Sequence, residues 1–277
     1  MTAVEYPVIA DEDMPRWESW IEGITGITLE GRKRVLERCI YQRLLGCGVP
    51  SLEAYQRLFD HGVEGDMEKA ALIDQLTVKD SRFFRNSKAM DAVGDYLLRR
   101  ARELDGESSE FRIWSVGCAL GQETYSLGML ASEQFAFTEV KWQVLGTDIS
   151  PSAVVYASRG QYTDKQAERV STHRKTRFFD KVDEDWQVQP HLRDKVSFGA
   201  SNLKDIDSCP FADQDVIFCQ NVLIYFRGDM ANHIADELVK RLRPGGLLVL
   251  GAGEVSEWDS LAVTRWRSET VNAYRAR

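Results

Sequence analysis

Short apolar strands alternate with helices across residues 111–250, and this alternation constrains the fold more than any other feature of the sequence. Each apolar run ends in turn residues and is followed by a segment with helical spacing of its apolar side chains. Such an alternation predicts an α/β fold with a mostly parallel sheet and helices on both faces. The predicted strands are residues 111–117, 142–146, 196–198, 215–220 and 247–250, with a helix over 229–242 that stops at 243–246.

Some segments of the chain depart from this alternation of strands and helices. Residues 160–195 interrupt the alternation and predict an insertion with a small β element. Residues 263–268 and 271–275 predict a terminal hairpin with an antiparallel edge strand. We therefore expect a helical domain over 1–80 and an α/β domain over 81–277. The helices predicted for the first domain are 14–23, 29–45, 52–60 and 67–76, with Thr28 and Ser51 as N-caps.

Charge and composition exclude several classes of protein. The 277 residues carry a formal net charge of −8, which argues against a nucleic-acid binder held by phosphate attraction. No apolar run approaches the ~20 residues of a membrane span, and the N-terminus lacks the pattern of a signal peptide. The five cysteines have no zinc-ligand spacing, so we expect reduced thiols and no metal. The composition predicts a cytoplasmic protein without direct membrane insertion.

A glycine-containing turn follows the first predicted strand. Gly117 and Gly121 allow the backbone to approach a flat ligand, and Glu123 stands in the first turn of the next helix. A plain tight turn with an acid that complements the helix dipole explains these residues equally well.

Asp148 strengthens the ligand interpretation. It ends the next predicted strand, where an acid accepts hydrogen bonds from ribose hydroxyls, or instead caps the helix that opens at Ser150. We favour ribose binding because the glycine turn lies upstream. The sequence contains neither GxGxxG nor a GKS/GKT phosphate loop, so S-adenosylmethionine fits better than NAD.

Asn221 and Tyr225 follow the predicted strand 215–220. Side chains just past the carboxyl end of a strand point into the ligand crevice of an open α/β sheet, although a tyrosine at such a junction also serves as a packing residue. The segment is not the Asn/Asp-Pro-Pro-Tyr arrangement associated with base methylation. This difference also argues against a nucleic-acid substrate.

Seven segments together match a known pattern: residues 81–85 (SRFFR), 114–118 (WSVGC), 122–126 (QETYS), 146–149 (GTDI), 217–226 (IFCQNVLIYF), 242–248 (LRPGGLL) and 253–254 (GE). The chain resembles the chemotaxis receptor glutamate methyltransferases, the CheR family, over about residues 14–277. This resemblance implies a Rossmann-like S-adenosylmethionine-dependent methyltransferase fold with a mostly parallel seven-stranded sheet, a small all-α N-terminal domain and a small β-subdomain insertion.

The resemblance also implies an activity and a partner. The expected reaction is methyl transfer from S-adenosyl-L-methionine to glutamate side chains, with S-adenosyl-L-homocysteine as the product. The expected partner is the cytoplasmic domain of a transmembrane methyl-accepting chemoreceptor. In some members the β insertion binds a C-terminal peptide of the receptor by strand addition. The short acidic turn at 181–186, which has no glycine-rich extension, favours a member that does not need this peptide.

Individual residues acquire roles by the same resemblance. Arg85 and Tyr225 are expected to orient the substrate carboxylate. Glu123 accepts from the amino group of the methionine moiety, and Asp148 holds the ribose. The other implied cofactor-binding residues are Lys79, Ser81, Arg85, Gly117, Asn202, Leu203, Gln220 and Asn221. The chain departs from the family pattern at Lys79, Leu120, Gln122, Thr124 and Gln220.

A basic run lies within residues 1–80, where 15 acidic residues outnumber 9 basic ones. Clustered positive charge in an acidic segment indicates an acidic partner. A solvated helix face with pairs such as Glu30–Arg34 produces the same pattern. The resemblance favours the partner, with contacts to the receptor from Arg32, Arg34, Arg38 and Arg43.

Two other functions stay open from the sequence. One is a methyltransferase that acts on a small molecule or on a soluble protein. The other is a regulatory module that binds S-adenosylmethionine without turnover, for which the departures at Lys79 and Gln220 leave room.

Overall fold

A computed structural model describes residues 8–104, 109–255, 258–266 and 271–277. The chain divides into two compact units, with the division between Val78 and Lys79. The sequence placed this boundary slightly later, between residues 80 and 81. Within the described ranges, every helix is too short or too polar to cross a bilayer.

The first unit is helical. Apolar side chains at three-to-four-residue spacing turn one face of its helices into a shared core. Buried members of this core are Trp17, Ile21, Leu36, Ile40 and Tyr55. Its helices are α1 (Met14–Thr25), α2 (Lys33–Cys47), α3 (Leu52–Leu58) and α4 (Gly62–Leu76).

Helix α2 begins later than the sequence predicted. Its first residue is Lys33 and Arg32 occupies the capping position, so the expected cap at Thr28 is wrong. Gly31 explains the difference, because its φ of 70° is a left-handed conformation that a helix does not accommodate. Glu30 therefore lies outside the helix, and the i,i+4 pair considered for Glu30 and Arg34 is wrong as well. Helix α4, in contrast, begins at residue 62 rather than at 67.

The second unit contains the predicted alternation of strands and helices. Short 3₁₀ turns cover Leu203–Ser208 and Leu223–Tyr225. The other elements are α5 (Ser87–Glu103), β1 (Glu110–Val116), α6 (Gln122–Gln134), β2 (Lys141–Asp148), α7 (Pro151–Arg159), β3 (Gln161–Thr163), α8 (Thr172–Phe178), β4 (Phe179–Val182), β5 (Asp185–Val188), α9 (Pro190–Arg193), β6 (Val196–Ala200), β7 (Gln214–Cys219), α10 (Gly228–Lys240), β8 (Leu242–Leu250), β9 (Val263–Arg265) and β10 (Asn272–Ala276).

Seven strands form the main sheet in the order β6-β2-β1-β7-β8-β10-β9. The first five are parallel, whereas β10 runs antiparallel to both β8 and β9. This confirms the mostly parallel sheet and the antiparallel hairpin expected from the sequence. The chain builds β1, β2 and β6 on one side and then places β7 and β8 on the other. The strand order therefore reverses between β1 and β7, where the carboxyl ends of parallel strands form a ligand crevice.

The central strands are buried on both faces, which explains their nearly continuous apolar runs. Ile113 of β1, Phe218 of β7 and Val249 of β8 are almost fully buried. Helix α6 is also buried over most of its length against this sheet. The carboxyl edge of β1, β7 and β8 consequently rests on a rigid core.

Three boundaries in this unit add to or differ from the sequence prediction. The antiparallel sheet β3-β5-β4 lies where a small β element was predicted. Residues 243–246 were expected to end a helix, but α10 already ends at Lys240 and these residues belong to β8. Helix α5 was not predicted; its N-cap is Asn86, whose Oδ1 accepts from the N–H of Ala89 at 3.2 Å.

Candidate cofactor and active site

The turn between β1 and α6 brings three residues into left-handed backbone conformations. The φ angles are 69° at Gly117, 46° at Ala119 and 87° at Gly121. A Cβ atom on Gly117 would collide with Cγ2 of Val222, and one on Gly121 would lie 2.7 Å from the Cβ of Ala157. Both positions therefore require glycine, and the turn lies tightly against its neighbours.

Asp148 is fixed beside this turn. Its Oδ2 accepts from the N–H of Ala119 at 2.8 Å, and its Oδ1 accepts from the N–H of Ser150 at 2.9 Å. Ser150 itself caps α7 by accepting from the N–H of Ala153. The helix-capping role considered for Asp148 thus falls to Ser150, while the Asp148 carboxylate is held at the carboxyl edge of β2, next to the glycine turn.

Glu123 stands in the first turn of α6, and its Oε1 accepts from the hydroxyl of Ser115 at 2.8 Å. Burial is the main reason that the pKa of Glu123 is raised to about 8. The hydrogen bond from Ser115 lowers this pKa, the Glu254 carboxylate raises it, and the positive charge of Arg85 lowers it. Much of the Glu123 population is therefore protonated at neutral pH without a ligand.

Asn202 and Leu203 follow β6 on the far side of Asp148. The N–H of Ser201 donates to the backbone oxygen of Asp148 at 2.9 Å, which ties this segment to β2. The side-chain oxygen of Asn202 accepts from the N–H of Lys204 at 3.1 Å, and Leu203 is buried. Both residues thus lie beside the edge that carries Asp148.

The segment after β7 carries Gln220, Asn221 and Tyr225. Asn221 has a left-handed φ of 60°, and Tyr225 is partly exposed at the end of a 3₁₀ turn. Gln220 is nearly buried: its Nε2 donates to the backbone oxygen of Leu250 at 2.9 Å, and its Oε1 accepts from Asn86 at 3.0 Å. Gln220 therefore links β7, β8 and the start of α5.

Arg85 immediately precedes α5. Its position is fixed by its neighbours: the N–H of Phe84 donates to the Ser126 hydroxyl at 3.1 Å, and Phe83 is buried against Tyr162. Nη1 of Arg85 donates to the backbone oxygen of Asp80 at 3.0 Å. The guanidinium is exposed to solvent and also acts electrostatically on Glu123. A solvent-exposed cation thus acts on the buried carboxyl group of Glu123.

Lys79 and Ser81 lie in the segment that leads to Arg85. Nζ of Lys79 donates to the Ser152 hydroxyl at 2.9 Å, at the start of α7. Ser81 lines a cavity of about 410 Å³ together with Asp80, Arg82, Lys165, Gln166, Glu168 and Arg169. Three cations and two carboxylates therefore surround an open space next to the Arg85 segment.

The arginines of the first unit fall into two groups. Arg34 and Arg38 are exposed on α2, one helical turn apart. Arg32 is partly exposed, and its Nη2 donates to the backbone oxygen of Leu76. Arg43 instead donates through Nε to Oε1 of the buried Glu68 at 2.7 Å. Its contacts identify Arg43 mainly as a structural residue.

A possible metal-ligand cluster occurs away from this edge. Among the described residues, ligand atoms of Asp207, His233 and Glu237 lie within 4.8 Å of one another. The Glu237 carboxylate already pairs with Lys240 and Arg241. These two cations satisfy the carboxylate and oppose the approach of a metal ion.

The residues of the carboxyl edge fit S-adenosylmethionine. Gly117 and Gly121 leave room for a flat ligand to approach the backbone, and Asp148 presents a fixed carboxylate suited to ribose hydroxyls. Glu123 is a buried carboxyl group whose ionised form is poorly compensated by the protein, as its raised pKa indicates, and an ammonium group would stabilise that ionised form.

Residues 79–268 match the family model described as "CheR methyltransferase, SAM binding domain". The chain belongs to the CheR methyltransferase family. This match confirms the family expected from the sequence and the S-adenosylmethionine-binding nature of its second unit.

Curated relatives extend the CheR similarity over both units. A chemotaxis protein methyltransferase of Borreliella burgdorferi is 30% identical over 253 residues, which cover 89% of each chain. Chemotaxis protein methyltransferase 1 of Pseudomonas aeruginosa is 32% identical over 254 residues, or 88% of this chain and 90% of the relative. Chemotaxis protein methyltransferase 1 of Vibrio cholerae is 31% identical over 92% of each chain.

Sequence reasoning missed two features of this CheR-family site. Lys165 and Arg169 lie in the insertion, far in sequence from Arg82, and only the fold brings them to one cavity. Glu254 belongs to a segment that resembles the family, yet no role was inferred for it. Its position four residues after a buried strand was the available signal, because loops that follow the carboxyl ends of parallel strands border the ligand crevice.

Proposed function

We propose that this protein transfers the methyl group of S-adenosylmethionine to glutamate side-chain carboxylates of a methyl-accepting chemoreceptor in the cytoplasm. The CheR family and the names of the chemotaxis relatives support this proposal. The observation that carries it concerns Arg85: its exposed guanidinium donates to the backbone oxygen of Asp80, a residue that lines the charged cavity, and its positive charge lowers the pKa of Glu123. A cation in this position favours an anionic methyl acceptor.

Four residues or groups of residues hold the cofactor in this proposal. Glu123 accepts from the ammonium group of the methionine moiety, and Asp148 accepts from the ribose hydroxyls. Gly117 allows the ligand to approach the turn, and Asn202 with Leu203 lies beside the adenine. When bound, S-adenosylmethionine supplies an electrophilic methyl group, and its transfer to a carboxylate oxygen leaves a methyl ester and neutral S-adenosylhomocysteine.

The acceptor requires orientation rather than deprotonation. A glutamate side chain has an ordinary pKa of about 4.3 and is already ionised at neutral pH. A strong general base is therefore unnecessary, and the contribution of the protein is to align the two reactants. Arg85 binds the carboxylate and Tyr225 fixes its orientation. Strong pairing with Arg85 would lower the nucleophilicity of the carboxylate. Because the guanidinium of Arg85 is exposed to solvent, its pairing with the carboxylate is weaker, which leaves the carboxylate reactive.

The cavity beside Ser81 is the proposed entry for the acceptor. Arg82, Lys165 and Arg169 outnumber Asp80 and Glu168 along its lining, which gives an excess of positive charge. This excess favours an acidic protein segment over a neutral one.

The exposed arginines of α2 form a second proposed contact with the receptor. Arg34 and Arg38 are available for such a contact, and Arg32 lies at the start of the same helix. Arg43 is the weakest member of the predicted set, because Glu68 already engages its guanidinium.

The proposal is tested with purified protein, methyl-labelled S-adenosylmethionine and receptor-rich membranes from the source organism. We expect label in a receptor-sized band that mild alkali releases as volatile methanol, because carboxyl methyl esters are alkali-labile. Tyr225→Phe should reduce this label while binding of the product is retained, and Arg85→Ala should reduce the label as well.

Two results would contradict the proposal. Alkali-stable label would identify a methyltransferase that acts on nitrogen or another atom. Binding of S-adenosylhomocysteine without any label, in the presence of verified receptor, would indicate a binding module without turnover.

A further inference from the structure

Phe84, the residue before Arg85, has an unfavourable backbone conformation. Its φ of 50° lies in the left-handed region, which a bulky L-amino acid rarely adopts. The other non-glycine residues with such a φ in the described ranges have short side chains: Ala119, Asp183, Asp213 and Asn221. A conformation of this kind persists only where the surrounding contacts enforce it, so the contacts of Phe84 call for an explanation.

Contacts from two other elements hold Phe84. Its N–H donates to the hydroxyl of Ser126 on α6 at 3.1 Å. Its half-buried ring packs against the core of the α/β unit, and the guanidinium carbon of Arg174 on α8 lies over this ring, 4.2 Å from its centre. A guanidinium at this distance is attracted to the face of an aromatic ring. The ring therefore contacts both the core and the insertion (residues 160–195) that contains α8.

Arg174 is itself held in a fixed orientation by Glu133 of α6. Its Nε and Nη2 donate to the two carboxylate oxygens of Glu133, each at 2.8 Å. Two such hydrogen bonds fix the plane of a guanidinium as well as its position. Both side chains are partly buried, with exposed fractions of 27% for Arg174 and 19% for Glu133. Since this burial limits screening by solvent, the pair provides a rigid contact for the ring of Phe84.

Arg85 is anchored on its other side by the start of α5. Asn86 caps this helix, and its Nδ2 donates to Oε1 of Gln220 at 3.0 Å. The backbone of Arg85 therefore runs between two anchored residues, whereas its guanidinium is exposed to solvent. Loss of the anchor at Phe84 would let the backbone relax out of the left-handed conformation and would displace Arg85.

We propose that Arg174 is a positioning residue for methyl transfer: it holds the ring of Phe84 and thereby fixes the place from which Arg85 binds the acceptor carboxylate. The insertion then contributes to the precision of the reaction, because a displacement of about 1 Å at an orienting residue reduces the rate strongly. This inference deepens the proposed function and rests on it, since Arg85 acts here on the proposed acceptor.

Hydrogen exchange tests the contact between Arg174 and Phe84 without any substrate. Mass spectrometry measures exchange in a peptide that contains the N–H of Phe84, for the full chain of the wild type and of Arg174→Ala. We expect exchange of this N–H to become about tenfold faster, because the segment that presents it to Ser126 is no longer held. Unchanged exchange in a folded Arg174→Ala overturns the proposal.

The second measurement is kcat/KM for methyl transfer to receptor membranes, which Arg174→Ala should lower about three- to tenfold. In an Arg85→Lys background the same substitution should have less than about a twofold effect, because a flexible lysine keeps the cation but depends less on a fixed backbone. Equal losses in both backgrounds would reveal a general structural effect. That result, or an unchanged kcat/KM of Arg174→Ala, overturns the proposal.

Arg177→Ala is the matched control. Arg177 also belongs to α8, and its guanidinium carbon lies 5.1 Å from the centre of another aromatic ring, that of Phe178. Its substitution should leave both the exchange at Phe84 and kcat/KM unchanged. Similar changes in this control would overturn the assignment to Arg174, because the loss of any cation from α8 would then have the same effect.

Glu133→Ala decides the question if Arg174→Ala does not fold. It removes the two hydrogen bonds that orient Arg174 and lets this partly exposed cation turn toward solvent. Exchange at Phe84 should again become faster and kcat/KM should fall, and wild-type values would overturn the proposal. A wild type that transfers no label to the receptor contradicts the proposed function, and this inference falls with it. Label in the wild type with unchanged values in the variants contradicts this inference alone.

Discussion

Each of the two units buries a cluster that contains carboxyl groups, and the two clusters differ in whether the fold compensates the charge of those groups. Glu68 in the helical unit is 6% exposed and Glu254 in the α/β unit is 7% exposed. Burial raises the pKa of Glu68, but hydrogen bonds from Arg43, Tyr55 and Cys47 outweigh it and leave the pKa lowered. For Glu123 and Glu254, burial prevails and the pKa of each is raised.

This difference separates a structural charge from a functional one. Arg43 of the same unit supplies the positive charge that pairs with Glu68. The Tyr55 hydroxyl at 2.6 Å and the Cys47 thiol at 3.1 Å also donate to the Glu68 carboxylate. Among the described residues, the Ser115 hydroxyl and the exposed Arg85 act on the carboxyl group of Glu123, and backbone N–H groups act on that of Glu254, yet burial outweighs them in both cases. A bound cationic ligand would supply the missing counter-charge. The comparison therefore predicts that substitutions in the first cluster affect stability and that those in the second affect ligand binding.

Arg43→Ala is the largest expected perturbation. It leaves the Glu68 carboxylate buried without its cation, and we expect the free energy of unfolding to fall by about 3 kcal/mol. Urea denaturation measures this loss. Arg34→Ala, on an exposed position of the same helix, is the control and should change stability by less than about 0.5 kcal/mol. Wild-type stability of Arg43→Ala would refute the structural role of this ion pair.

Asp148→Ala should weaken binding of S-adenosylhomocysteine by about 1–3 kcal/mol, because charge-assisted hydrogen bonds to the ribose are lost. Calorimetry measures the affinity. Asp91→Ala, a substitution of an exposed acid on α5, serves as the control and should leave the affinity unchanged. Unaltered affinity of Asp148→Ala would remove this residue from the site.

Glu123 should release a proton when a ligand binds. With its pKa at about 8, most of this group is protonated at pH 7, and an ammonium group selects the ionised form. Binding of the product at about pH 7 should therefore release nearly one proton, detected as a dependence of the calorimetric heat on the buffer. Glu123→Gln should abolish this release. Equal heats in all buffers for the wild type would show that Glu123 does not face the ligand.

The same raised pKa has a consequence for stability without ligand. The folded-state pKa of Glu123 lies above the ordinary value of 4.5. Its stabilising contribution is therefore fully present below about pH 4.5 and is lost as the pH rises toward 8. Relative to Glu123→Gln, the ligand-free wild type should lose stability over this interval in urea denaturation.

The smallest effect on the folded protein is expected for the double substitution Arg34→Glu and Arg38→Glu. Both side chains are exposed, so stability and cofactor affinity should stay close to those of the wild type. The apparent KM for receptor membranes should rise several-fold if the helix contacts an acidic partner. Unchanged turnover on receptor would show that this face is only solvated.

Much of the fold was predictable because its signals are local. The central strands are continuous apolar runs bounded by turn residues, and this pattern arises directly from burial between two layers of helices. The glycine turn and Asp148 were found for the same reason, since both lie at the ends of such strands. The start of α2 was missed because one left-handed residue, Gly31, outweighed a favourable helical pattern.

The roles of individual charges were less predictable because they depend on partners that are distant in sequence. Arg43 looked like one more member of a basic surface, but Glu68, 25 residues away, turns it inward. Glu254 carried no local signal of its interaction with Glu123, more than a hundred residues earlier. Sequence spacing reports which residues share an element, whereas the balance of buried charge depends on how elements are assembled.

The position of β10 affects how this protein is made on the ribosome. Residues 272–276 come after β9 in the chain, but they lie between β8 and β9 in the sheet. Until they have emerged, the outer edge of β8 has no neighbour, and a bare strand edge of apolar residues is open to pairing with other chains. Residues 272–276 must therefore leave the ribosome before β8 is paired along both of its edges, and a nascent chain stalled before this point should be a preferred target for chaperones.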